Sequence, residues 1–116
     1  MKYTKSLKKN TDFKKVYRVG KSTANKFLVL YKLPNNLPYN RLGVSVSKKV
    51  GNSVVRSRVT RLIKESYRLN EHEGMAIGFD IIIIARTIAN EASYHDIENS
   101  LIKLLRQHKI INNKLI

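Results

Sequence analysis

The sequence predicts an α+β fold of one domain, a small sheet with helices packed on one side of it, and three observations carry that prediction. The 116 residues match the size of a single domain. Hydrophobic residues make up 42% of the chain, enough for one core without staples. The apolar spacing switches between a helical and a strand period, in the order helix, strands, helix, strand, helix.

Residues 11–19, TDFKKVYRV, place Phe13, Val16 and Tyr17 at helical spacing, and Gly20 stops that helix. Residues 26–33, KFLVLYKL, form a strand that is apolar on both faces. Leu28 and Leu30 point one way, and Phe27, Val29 and Tyr31 the other. Residues 41–47, RLGVSVS, alternate: Leu42, Val44 and Val46 face the core, while Gly43, Ser45 and Ser47 face out. Asn52 or Ser53 caps a helix that runs to Arg68. Its projection puts Val55, Val59, Leu62, Ser66 and Leu69 on the core side, with Ile63 and Tyr67 at the edge. Residues 80–86, DIIIIAR, read as a fully buried strand, which makes 41–86 a βαβ unit. Ser93 opens the last helix, with Asp96 completing a weak capping box and Ile97, Leu101, Leu104 and Leu105 as its core stripe. NNLPYN at 35–40 and NEHEG at 70–74 are loops.

Charge is the strongest bulk signal. The chain has 23 Lys and Arg against 8 Asp and Glu, a formal net charge of +15. All of the excess lies in residues 1–68, where Asp12 and Glu65 are the only acids. Such a field recruits polyanions, nucleic acid first among them. There is no cysteine, so disulfides, thiolate metal sites and a cysteine nucleophile are excluded. The basic start, MKYTKSLKKNTDF, has no apolar run behind it and does not read as a secretory signal. The longest apolar run, Ile81–Ala85, falls far below the ~20 residues of a membrane span. A cytoplasmic protein without membrane contact is expected.

Two segments carry the candidate chemistry. In the stretch 47–68, Arg56, Arg58, Arg61, Lys64 and Arg68 ring the helix outside its core face, with Glu65 the single acid. Acids that would pair with these cations are mostly missing, which argues against a merely solvated face. Arginine forks grip phosphate oxygens in pairs. Lys48 and Lys49 precede Gly51 and the helix N-terminus, an arrangement suited to an anion. The second segment is the outward face of the 26–33 strand. If that strand pairs antiparallel with 41–47, Phe27, Val29 and Tyr31 lie over a floor of Gly43, Ser45 and Ser47. Phe13 and Tyr17 then either wall a groove that stacks bases or pack into the core. Lys14, Lys15, Arg18 and Lys21 nearby favour the groove.

Catalytic signatures are missing. The acids are scattered, with no D-x-D or H-E-x-x-H pattern, and His72, His95 and His108 lie in separate segments as surface or satisfied histidines. No catalytic residue and no protein-bound metal are expected, so any chemistry belongs to another molecule.

The stretch Gly43–Arg68, GVSVSKKVGNSVVRSRVTRLIKESYR, resembles the signature of the protein component of bacterial ribonuclease P. Residues 7–31, LKKNTDFKKVYRVGKSTANKFLVLY, and 80–86 are similar to that family in the same order. The resemblance covers nearly the whole chain apart from the loops at 34–40 and 70–79, and implies one RNA-binding domain over 1–116. It implies an αβββαβα two-layer sandwich with a left-handed βαβ crossover and an extra strand at 21–24. It implies a ribonucleoprotein whose RNA subunit, using Mg²⁺, removes the 5′ leader of precursor tRNA, with no small-molecule substrate. The protein binds the catalytic RNA and the precursor tRNA and is expected to hold no cofactor tightly itself. The basic motif maps to Lys48, Lys49, Asn52, Arg56, Arg58, Arg61 and Lys64, with Arg68 beside it. The leader cleft maps to Phe13, Tyr17 and Tyr31, with Lys21, Ser22, Asn25 and Arg86 as further polar positions. Ser57 and Thr60 depart from the family's asparagine and lysine, which puts leader or RNA contacts at those two places in question. A general RNA-binding or ribosomal structural protein is the alternative, and an autonomous nuclease is disfavoured by the scattered carboxylates.

Overall fold

A computed structural model describes residues 1–112. Strand β1 (Thr4–Ser6) leads into helix α1 (Asn10–Val19), then strands β2 (Lys21–Ala24), β3 (Leu28–Pro34) and β4 (Asn40–Ser45). Helix α2 (Ser53–Asn70), strand β5 (Phe79–Ala85), a 3-10 turn at Thr87–Glu91 and helix α3 (Tyr94–Gln107) follow. The sheet order is β1-β4-β5-β3-β2. The expected strand at 21–24 is present, and β4, α2 and β5 form the expected crossover, with β4 and β5 parallel.

Local chemistry explains the helix ends. Asn52 caps α2, its Oδ1 accepting from the Val55 N–H at 3.0 Å. Ser93 and Asp96 form a complete capping box on α3. The main core lies between the sheet and the α2–α3 layer. There Leu28, Leu30, Leu42, Ile81 and Ile83 meet Val59, Ile63, Tyr67, Ile97, Leu101, Leu104 and Leu105. The buried side of α2 is turned from the expected one: Ile63 and Tyr67 are fully buried, while Leu69 is 57% exposed. It turns because Tyr67 reaches the sheet, its hydroxyl 2.9 Å from Thr4 Oγ1 of β1, while α3 meets α2 at Asn70, whose Nδ2 donates to the Glu98 carboxylate at 3.1 Å.

Three departures from the sequence reading position the site. First, β3 and β4 do not pair. β5 lies between them, antiparallel to β3 and parallel to β4. Second, α1 does not share the side of α2 and α3. It lies over the opposite face, where Val16 and Leu7 bury Ile82. Third, β1 is an added strand, parallel to β4. Three residues carry too little alternation to be seen, and tertiary bonds hold them. The Lys2 and Tyr3 N–H groups donate to the Glu71 carboxylate at 2.7 and 3.0 Å, and Thr4 Oγ1 lies 2.9 Å from the Tyr67 hydroxyl. Burial pushes the Tyr67 phenol up to about 12.

The loops at 35–40 and 74–79 are stitched together. Asn40, fully buried, donates to the Ala76 carbonyl at 2.8 Å and accepts from the Phe79 N–H at 3.0 Å. Among the described residues, no helix is long and apolar enough to cross a membrane.

Candidate nucleic-acid interface

The α1 face of the sheet is built in rows. Leu33, Asp80, Arg41 and Lys5 form one; Ser22, Tyr31, Ile82 and Gly43 the next; Ala24, Val29, Ile84 and Ser45 the third. Helix α1 covers the middle of this face. The Phe13 ring rests on Gly43, where an added Cβ would come within 2.5 Å of its Cζ. Glycine is required there because ring and strand approach closer than any side chain permits. Tyr17 meets Tyr31 edge-on at 5.2 Å between centroids, and Phe13 at 6.3 Å. Burial raises the Tyr17 phenol, the Ser45 hydroxyl partly offsets this, and the neighbouring Tyr31 adds to it.

The third row is left half-open. The result is a cleft walled by Phe13, Tyr17 and Tyr31, with Val29, Ile84 and Ser45 as its floor. Ile84 was not among the expected floor residues. An unbroken isoleucine run reads as buried on both sides, and only the β3-β5-β4 order puts Ile84 beside Val29 and Ser45.

Several expected cleft residues lie elsewhere. Phe27 precedes β3 in a turn and packs against the main core, because alternation does not carry through the turn. Lys21 pairs with Lys32, so Ser22 rather than Lys21 shares the Tyr31 face. Lys21 instead acts on Lys32 and His108, helping to hold both below their usual values behind the larger effect of burial. Asn25 is spent on structure, its Nδ2 donating to the Ser100 carbonyl at 2.9 Å and its Oδ1 accepting from the Leu28 N–H at 3.2 Å. Arg86 is exposed past β5, its Nη1 donating to the Asn25 carbonyl at 2.7 Å. Ser47 lies beyond the end of β4, and its carbonyl accepts from the Val50 N–H at 3.0 Å.

On the other side of the molecule, an open groove of about 760 Å³ follows α2. Arg56, Ser57, Thr60, Arg61, Lys64 and Arg68 line it, with Val44, Val46 and Met1 opposite. Strand β1 ends opposite Leu42, which leaves Val44 and Val46 free to form that wall. Ser57 and Thr60, with Ser53, are thus the small residues of the groove. Arg56 Nε is buried without a hydrogen-bond partner in the protein. Arg68 is paired with Glu65, while Lys48 and Lys49 are exposed in the turn before α2. Arg58 stands apart, its Nη2 donating to the Ala92 carbonyl at 2.8 Å. Asn52 is committed to the helix cap. His72 and His95 are exposed; His108 is buried, with Nε2 unpartnered. Among the described residues, no three His, Cys, Asp or Glu side chains come together as a metal site.

A small, strongly basic α+β domain with a cationic groove on one side and an aromatic cleft on the other has the construction of a nucleic-acid-binding protein. The family model described as Ribonuclease P matches residues 1–109. A ribonuclease P protein component of Alkaliphilus metalliredigens is 54% identical over 97% of this chain and 100% of that protein. One from Clostridium botulinum is 57% identical over 91% of this chain and 96% of its own. The structure of the Staphylococcus aureus RNase P protein superposes with a TM-score of 0.83 at 40% identity, covering 95% of this chain and 98% of that one. The Thermotoga maritima RNase P protein gives 0.79 at 30% identity over 89% and 96%. The chain belongs to the family of ribonuclease P protein components, and its role lies in the 5′ maturation of tRNA together with an RNA subunit.

Proposed function

We propose that the two surfaces divide the work of this subunit: the α2 groove docks the catalytic RNA, and the α1 cleft holds the single-stranded 5′ leader of precursor tRNA. The observation that carries this is the contrast in lining. The groove presents Arg56, Arg61 and Lys64, with Arg68 paired to Glu65 at one end, around Ser57 and Thr60, suited to a folded phosphate backbone. The cleft presents ring faces and edges over an uncharged floor, suited to unstacked bases of any sequence. Mg²⁺ in this reading serves the RNA subunit, which performs the cleavage.

Reconstitution with a ribonuclease P RNA tests the reading. Added protein should raise cleavage of precursor tRNA at low Mg²⁺, and the gain should shrink when the leader is shortened to one nucleotide. Equal affinity for mature and precursor tRNA, with no leader dependence, would instead support a general RNA-binding protein.

A further inference from the structure

Helix α1 forms one wall of the cleft, so the width of the cleft depends on what fixes α1 against the sheet. Its apolar contacts are non-directional: Val16 and Leu7 over Ile82, and the Phe13 ring on Gly43. One charged tie adds direction. Arg41 Nη1 on β4 lies 3.4 Å from Asp12 Oδ2 in the first turn of α1. Among the described residues this is the only ion pair made by an α1 side chain.

Arg41 is itself immobilised. Its Nε and Nη2 donate to the two oxygens of Asp80, each at 2.8 Å, and Asp80 is only 5% exposed. Asn35 Nδ2 adds a bond to Asp80 Oδ1 at 2.9 Å. A guanidinium held by two parallel bonds to a buried carboxylate has a fixed plane. Its third nitrogen is therefore a rigid reference point projecting from the sheet. Asp12 meets that point, and Phe13 is the next residue along the chain.

We propose that Asp80 and Arg41 form a template that sets the angle of α1 through Asp12, making Asp12 a positioning residue for leader binding. The proposal rests on the cleft reading above. A pair about one-quarter exposed contributes little to overall stability. Its effect is on the distance between Tyr17 and the Val29–Ile84–Ser45 floor.

The test uses the reconstituted holoenzyme with leader-bearing and leaderless substrates. Asp12→Ala should raise KM for the leader-bearing substrate about threefold, the scale of a partly exposed ion pair. The kcat, the leaderless KM, affinity for the RNA subunit and the melting temperature should stay unchanged. Asp12→Glu, which keeps the charge, should restore most of the loss. Equal losses on both substrates, or no loss in a wild-type system that depends on the leader, overturn the template. A wild-type protein with no leader dependence, with Phe13→Ala equally silent, overturns the cleft reading and the template with it.

Discussion

The aromatic cleft and the arginine groove are built from different kinds of information. The groove is mostly one helix: seven of its lining residues lie from Arg56 to Arg68. The cleft draws Phe13 and Tyr17 from α1, Val29 and Tyr31 from β3, Ser45 from β4 and Ile84 from β5. A surface made by one continuous segment survives changes in packing elsewhere. A surface made by four elements depends on their order and spacing. Damage to tertiary packing should therefore fall on leader binding first and RNA docking second.

The sharpest way to break this contrast is Gly43→Val. Its side chain occupies the space of the Phe13 ring, and overpacking of this kind costs about 1–3 kcal/mol. The expected outcome is a lower melting temperature and loss of leader dependence, with RNA-subunit binding retained. Loss of both functions by a folded protein would show that the surfaces are not separable.

Phe13→Ala removes one ring from the wall. Leader affinity should fall by about 1 kcal/mol or more, the lower end for one stacked base, while the salt dependence of binding stays the same. Unfolding on this substitution would instead assign Phe13 to the core.

Arg61→Ala addresses the other surface. It should flatten the slope of log K against log salt for the RNA subunit by about one contact, without affecting leader dependence. An unchanged slope removes Arg61 from the interface. Arg61 is a cleaner probe than Arg58, whose loss also frees the Ala92 carbonyl.

The smallest effect separates both surfaces from the sealed side of the sheet. Burial, with Lys32 and Lys21 nearby, holds the His108 imidazole below its usual value. The unfolded chain then binds a proton before the folded one does. Stability is therefore complete above the unfolded value of 6.5 and declines as pH falls from there through the folded value. Thermal melts between pH 7.5 and 5 should show this decline, and His108→Asn should reduce it. Leader dependence should not follow the same titration.

How much was legible follows the same division. The α2 arginines, the Asn52 and Ser93 caps and the core stripe of α3 were readable because each is set within one or two turns of chain. Ile84 was hidden within an isoleucine run, and Phe27 was read onto the wrong face because a turn interrupts the alternation before β3. Leu69 kept the helical period but lost its cover, since α2 turns its Tyr67 side to the sheet, where the Tyr67 hydroxyl meets Thr4.

By itself, the sequence determined the α+β class, the helices and their caps, the positive field of residues 1–68 and the cationic face of α2. These follow from local periodicity, local hydrogen bonding and net charge, none of which needs distant residues. Only the tertiary structure decided that β5 separates β3 from β4, that α1 lies alone on its face, and that Asp80 fixes Arg41 against Asp12. Those outcomes depend on contacts between residues far apart in the chain, where closing the loops and burying both faces of the central strand choose one order of strands over the others.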